Sequence, residues 1–124
     1  MQKHQVCNRI DPIRRKKDAE AIGAWIKENA APEYYRAYTL GISAGQRVTE
    51  SIPGCGGRIS IDGFRKVLER AAGECGVFGN MGTHTPRKTF GWFYYLEGNS
   101  LESLSKIFGH SNTDITAKYI GLTQ

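Results

Sequence analysis

Along residues 13–30 the apolar side chains return about once per helical turn. Ile13, Ala19, Ile22, Trp25 and Ile26 share one side, and lysines and acids fill the other. This pattern predicts an amphipathic helix facing a core. Asp11 stands where a cap is wanted, and Pro12 follows at the first helical position, where its missing N–H does no harm. Residues 1–11 read as a flexible lead-in. Pro32 opens a second predicted helix that ends at Gly45, with Tyr35, Ala37, Leu40 and Ile42 as its buried set. Residues 46–58 contain Pro53, Gly54, Gly56 and Gly57 and read as a loop.

Ser60 is placed to cap a third helix over residues 61–75, with Phe64, Val67, Leu68 and Ala71 inward. A fourth begins at Thr83 or Thr85, carries Pro86 in its first turn and turns Phe90, Phe93, Tyr94 and Leu96 inward. Gly98 and Asn99 stop it. Ser100 caps a fifth helix over residues 101–108, which Gly109 ends. Ser111 starts a sixth, with Asp114 three residues on as in a capping box. No pair of alternating segments predicts a strand pairing, so the fold class is mainly α, in one domain.

Composition narrows the setting. A chain of 124 residues, 40% of them hydrophobic, suffices for one modest core. Its apolar runs are too short to span a bilayer, and its first residues hold no apolar signal core. Cys7, Cys55 and Cys75 are odd in number and form no C-x-x-C pair, which argues against a disulfide framework or zinc knuckle. A cytoplasmic setting follows. Seventeen Lys and Arg against twelve Asp and Glu give a formal charge of +5, which suits a polyanionic partner.

Two segments join titratable groups to helix starts. In GTHTPRKTF, residues 82–90, His84 and Arg87 lie three apart and share a face, so both can point at one anion beside the free N–H groups of the turn. In GHSNTDITAKY, residues 109–119, His110 occupies an interhelical turn and Tyr119 follows nine residues later.

The order of these boxes resembles the tyrosine recombinase, or phage integrase, family. THTPRKTFG is similar to the family's histidine–arginine box, with Pro86 where that box usually has leucine. IFGHSNTDITAKYIG is similar to its second box, Leu-Gly-His-Ser followed by a threonine and then a tyrosine. LGISAGQRVTE is similar to the segment that carries the family's first arginine, which falls on Arg47. The resemblance implies a catalytic domain acting on double-stranded DNA, assembled as a tetramer on the nucleoid. It implies neither a cofactor nor a metal, no small-molecule substrate and no membrane. Tyr119 would attack a phosphodiester to give a 3′-phosphotyrosine and a free 5′-hydroxyl. Arg47 and Arg87 would clamp the phosphate oxygens, His110 would hydrogen-bond one of them, and His84 would assist proton transfer.

The family's small β-sheet, with a lysine that protonates the leaving hydroxyl, has no counterpart between Arg47 and Ser60. The flanking residues are expected to be joined near residues 50–51, as by an internal deletion. Lys66, Lys88 and Lys106 lie on no matching motif for that lysine. The helical domain that precedes the catalytic domain in most members is also expected to be missing. Two other readings stay open: an impaired remnant that serves as a DNA-binding or assembly module, and an unrelated helical domain in which the boxes do not converge.

Overall fold

A computed structural model describes residues 9–52 and 59–122 of the chain. Among them are seven α-helices: α1 (Lys16–Asn29), α2 (Pro32–Ala44), α3 (Val48–Ser51), α4 (Ile61–Glu74), α5 (Thr85–Leu96), α6 (Leu101–Phe108) and α7 (Thr113–Tyr119). No strand occurs among the described residues, in keeping with a mainly α chain. No helix among them is long and apolar enough to cross a membrane.

The helix ends follow local chemistry. Ser60 Oγ accepts from the Gly63 N–H at 2.9 Å, and Ser100 Oγ from the Ser103 N–H at 3.0 Å. Gly45 and Gly109 close α2 and α6 in the left-handed region, with φ of 71° and 77°, which glycine adopts without strain.

Two starts differ from the predicted ones. Asp11 does not cap α1. Its carboxylate accepts from the Asn80 N–H at 2.8 Å, its own N–H donates to the Asn80 carbonyl, and the helix begins only at Lys16. Asn112 rather than Ser111 caps α7, with Oδ1 accepting from the Ile115 N–H at 3.0 Å. The predicted loop is also helical at its start. Val48 and Ile52 stand four apart and are both buried, and the Glu50 carboxylate accepts from the Arg47 N–H at 3.0 Å. The Pro and Gly cluster at residues 53–57 lies outside the described residues, as do Cys7 and Cys55.

The main core lies between α1, α2 and α4. Ile13, Ile22, Ile26, Phe64 and Leu68 are buried there with Tyr34 and Tyr38. Of the predicted buried set of α2, Ala37 is buried and the other three are not. Tyr34, Ala37, Tyr38 and Gly41 face inward, while Tyr35, Leu40 and Ile42 are half-buried. The hydroxyls decide it: Tyr38 donates to the Ala19 carbonyl at 2.7 Å, and Tyr34 accepts from the Ser60 N–H at 3.2 Å. Tyr34 also occupies the space a Cβ would need at Gly63. A second, smaller core holds Leu104, Phe108 and Ile120 under the α6–α7 hairpin. Leu96, expected inward, ends α5 beyond both cores and is 56% exposed.

Helix α5 joins the two cores. On one side Thr89 Oγ1 accepts from the Ile13 N–H at 2.8 Å, and Thr85 Oγ1 donates to the Asp11 carbonyl at 3.0 Å. These bonds pin residues 11–13 across the helix. On the other side Gly91 lets Phe108 and Ile120 approach its backbone, where a Cβ would come within 3.0 Å of both. Thr89→Val keeps the shape but strands the buried Ile13 donor. The expected cost is about 1–3 kcal/mol, read by urea denaturation; an unchanged midpoint would contradict this role.

Candidate active site

The five residues singled out in the sequence come together where α5 meets the α6–α7 hairpin and the start of α3. His84 precedes α5, and its ring makes no capping bond. Its Nδ1 lies 3.2 Å from the Tyr119 hydroxyl, the two rings meeting edge to face. Tyr119 is the last residue of α7. Its ring packs against Phe108 and His110, each with centroids 5.2 Å away.

Arg87 lies in the first turn of α5. Its guanidinium donates to the Gly45 carbonyl at 2.7 Å and to the Phe108 carbonyl at 3.2 Å, and it lies 4.4 Å above the Phe108 ring. Two helix C-termini, with their partial negative charge, thus hold one cation in place. The same guanidinium also bears on the Tyr119 phenol, through its charge and hydrogen bonding. Arg47 stands at the start of α3. With Thr49, Thr83, His84 and Arg87 it lines a cavity of about 70 Å³, walled by Val48 and Ile61.

His110 is oriented by Thr116, the threonine of the second box, and through it by Ser105, which no motif marks. Its Nδ1 is 2.8 Å from Thr116 Oγ1, which is 2.6 Å from Ser105 Oγ. Both hydroxyl residues are buried. For Ser105 the available signal was a polar residue on the inward face of a short helix. Lys88, which matches no motif for the family's lysine, places its ammonium 4.8 Å from the centre of the Tyr119 ring. Pro86, at the position where the resembled box has leucine, is buried against α2. Gly41 permits that approach, since a Cβ there would stand 2.5 Å from the Pro86 Cβ.

The cluster is strongly cationic, and its titratable groups show it. Burial, with the charges of Lys88, Arg87 and Arg47, holds the His84 imidazole below its ordinary value. Burial and the charges of Arg87 and Arg47 do the same to His110. Burial pushes the Tyr119 phenol up, against the charge and hydrogen bonding of Arg87 and the charge of Arg47. Both histidines are therefore neutral near pH 7, and the phenol keeps its proton. No group of three or more His, Cys, Asp or Glu among the described residues could hold a metal ion.

The sequence profile of the phage integrase family matches residues 4–124. The chain belongs to the phage integrase family, the tyrosine recombinases. A probable integrase/recombinase of Bacillus subtilis, YoeC, is 41% identical to this integrase-family chain over 59 residues. That stretch covers 48% of the chain but only 32% of the relative. No solved structure matches the chain.

Two outcomes are expected here. Arg87→Lys keeps the charge but cannot bridge both carbonyls with a planar fork, so it should lose about 1–3 kcal/mol of stability in thermal or urea melts. In NMR titrations both imidazoles should ionise below about pH 6.5, and Arg87→Gln should raise both, since each faces that guanidinium. Histidine transitions unmoved in this variant would contradict the electrostatic reading.

Proposed function

We propose that this chain carries the strand-cleaving site of a DNA recombinase, with Tyr119 as the nucleophile. The observation that carries the reading is the meeting of the Tyr119 hydroxyl with His84 Nδ1 at 3.2 Å, beside two arginines that line or border one cavity. A scissile phosphodiester would be held by Arg47 and Arg87, whose guanidinium forks suit phosphate oxygens. His110, fixed by Thr116, would donate from its other ring nitrogen to the same group. Duplex DNA is the partner, and strand exchange would use four copies.

The electrostatics give the reaction an order. Without DNA, burial and the surrounding cations keep His84 neutral, and burial, against those cations, keeps the phenol protonated. A bound phosphate offsets the charge of Arg47 and Arg87, so His84 becomes more basic in the loaded site. It then takes the phenol proton as the oxygen attacks phosphorus. The bond to the 5′-oxygen breaks, and the products are a 3′-phosphotyrosine and a 5′-alkoxide that must acquire a proton. Fixed positive charge stabilises the transition state.

One observation favours a second reading. No lysine among the described residues lines the cavity shared by Arg47, His84 and Arg87, and the described residues between Arg47 and α4 form no hairpin that could supply one. If an internal deletion near residues 50–51 removed the family's sheet, protonation of the leaving oxygen would be slow. The chain would then act as a DNA-binding or assembly module.

A nicked duplex that loses a short 5′-hydroxyl strand after cleavage separates the two. Random nicked duplexes, incubated with the protein and resolved under denaturing conditions, should give a covalent adduct that maps to Tyr119. Tyr119→Phe should give none, and Arg87→Gln a yield lower by at least about 100-fold, the scale for losing a charge-stabilising donor. DNA binding without any adduct, equal in wild type and Tyr119→Phe, would favour the module.

A further inference from the structure

Lys88 is the charged group at this site for which the reading above has no role. It lies one turn after His84 on α5, and its N–H donates to the His84 carbonyl at 2.9 Å. Its half-buried side chain turns toward the nucleophile. The ammonium donates to the Ile10 carbonyl at 2.9 Å and lies 4.8 Å from the centre of the Tyr119 ring. Ile10 is itself held in place, because Asp11 on its C-terminal side is tied to Asn80 and Thr85. The segment before α1 thus fixes a cation against the face of the phenol.

We propose that Lys88 is a positioning residue for Tyr119. Its ammonium, tethered by the Ile10 carbonyl, seats the phenol ring against His84, keeps Nδ1 of that imidazole free to accept the phenol proton, and favours the phenolate once formed. The proposal rests on Tyr119 being the nucleophile. It does not make Lys88 the acid for the leaving hydroxyl, since Lys88 lines the tyrosine and not the shared cavity.

A cation over an aromatic face is attracted to the ring, and the attraction grows when the ring carries the negative charge of a phenolate. The same cation repels a proton on His84. Four other titratable or charged groups act on the phenol or on its histidine partner. Arg87 of α5 and Arg47 at the start of α3 both favour the phenolate, and His84 and His110 are neutral near pH 7. Burial already lowers the basicity of Lys88 itself. The charge of Arg9 acts in the same direction and that of Asp11 against it, and the titration of Lys88 is itself part of the test.

The experiment needs no DNA, so its failure and the failure of the recombinase reading are distinguishable. Tyr119 ionisation is followed by NMR on ring-labelled tyrosine, assigned with Tyr119→Phe, and His84 ionisation on the imidazole proton. Three variants are compared after circular dichroism: Lys88→Met, Lys88→Gln, which retains a donor near Ile10, and Lys88→Arg, which retains the charge. In both neutral variants the Tyr119 and His84 transitions should rise, each by about half a pH unit or more, the scale of one cation a few ångströms away in a half-buried site. Lys88→Arg should restore both. Unmoved transitions in a folded neutral variant would overturn the proposal. So would a wild-type Lys88 that titrates below pH 7. Loss of folding in both neutral variants would overturn it too, leaving the Ile10 tether as the whole role of Lys88.

Discussion

A single guanidinium fastens the site to the fold. Arg87 reaches from α5 to the last turn of α2 through the Gly45 carbonyl and to the end of α6 through the Phe108 carbonyl. Each helix ends at a left-handed glycine, and a helix end leaves carbonyls without partners. The cation satisfies two of them and is held by both. This bridge sets where α6 stops relative to α2. The turn after α6 then sets His110, and α7 sets Tyr119. Stacking on Phe108 makes the arrangement stiffer, because the same ring packs against His110 and Tyr119.

The rest of the molecule maintains that geometry at its two ends. On one side the Thr85 and Thr89 hydroxyls hold residues 11–13 against α5, which keeps the helix and its His84 in place over the main core. On the other, Gly91 lets the small core beneath α6 and α7 close on the helix backbone. The buried chain from Ser105 through Thr116 to His110 orients the second histidine. Cationic and aromatic groups therefore meet on a scaffold of short helices held together across α5.

Local signals were legible in the sequence and distant ones were not. Ser60, Ser100, Gly45 and Gly109 act within their own helices, so their residue types were enough to place four helix ends. Asp11 has an equally good local reading as a cap, yet it bonds Asn80, 69 residues away. In α2 three tyrosines surround the helix. Only the polar partners Ala19 and Ser60, supplied by other elements, select Tyr38 and Tyr34 over Tyr35. The five site residues were found through the order of their boxes. Of their supporting partners, Thr116 is the threonine of the second box, whereas Ser105 and Lys88 gain meaning only from three-dimensional proximity.

The central claim is that Arg47, His84, Arg87, His110 and Tyr119 form one anion site. Titration of the unliganded chain with inorganic phosphate, followed on the His84 and His110 imidazole resonances, tests it most directly. Both resonances should move together along one saturation curve, and both histidines should become more basic at saturation. Resonances that stay still, or that follow separate curves, would contradict the account.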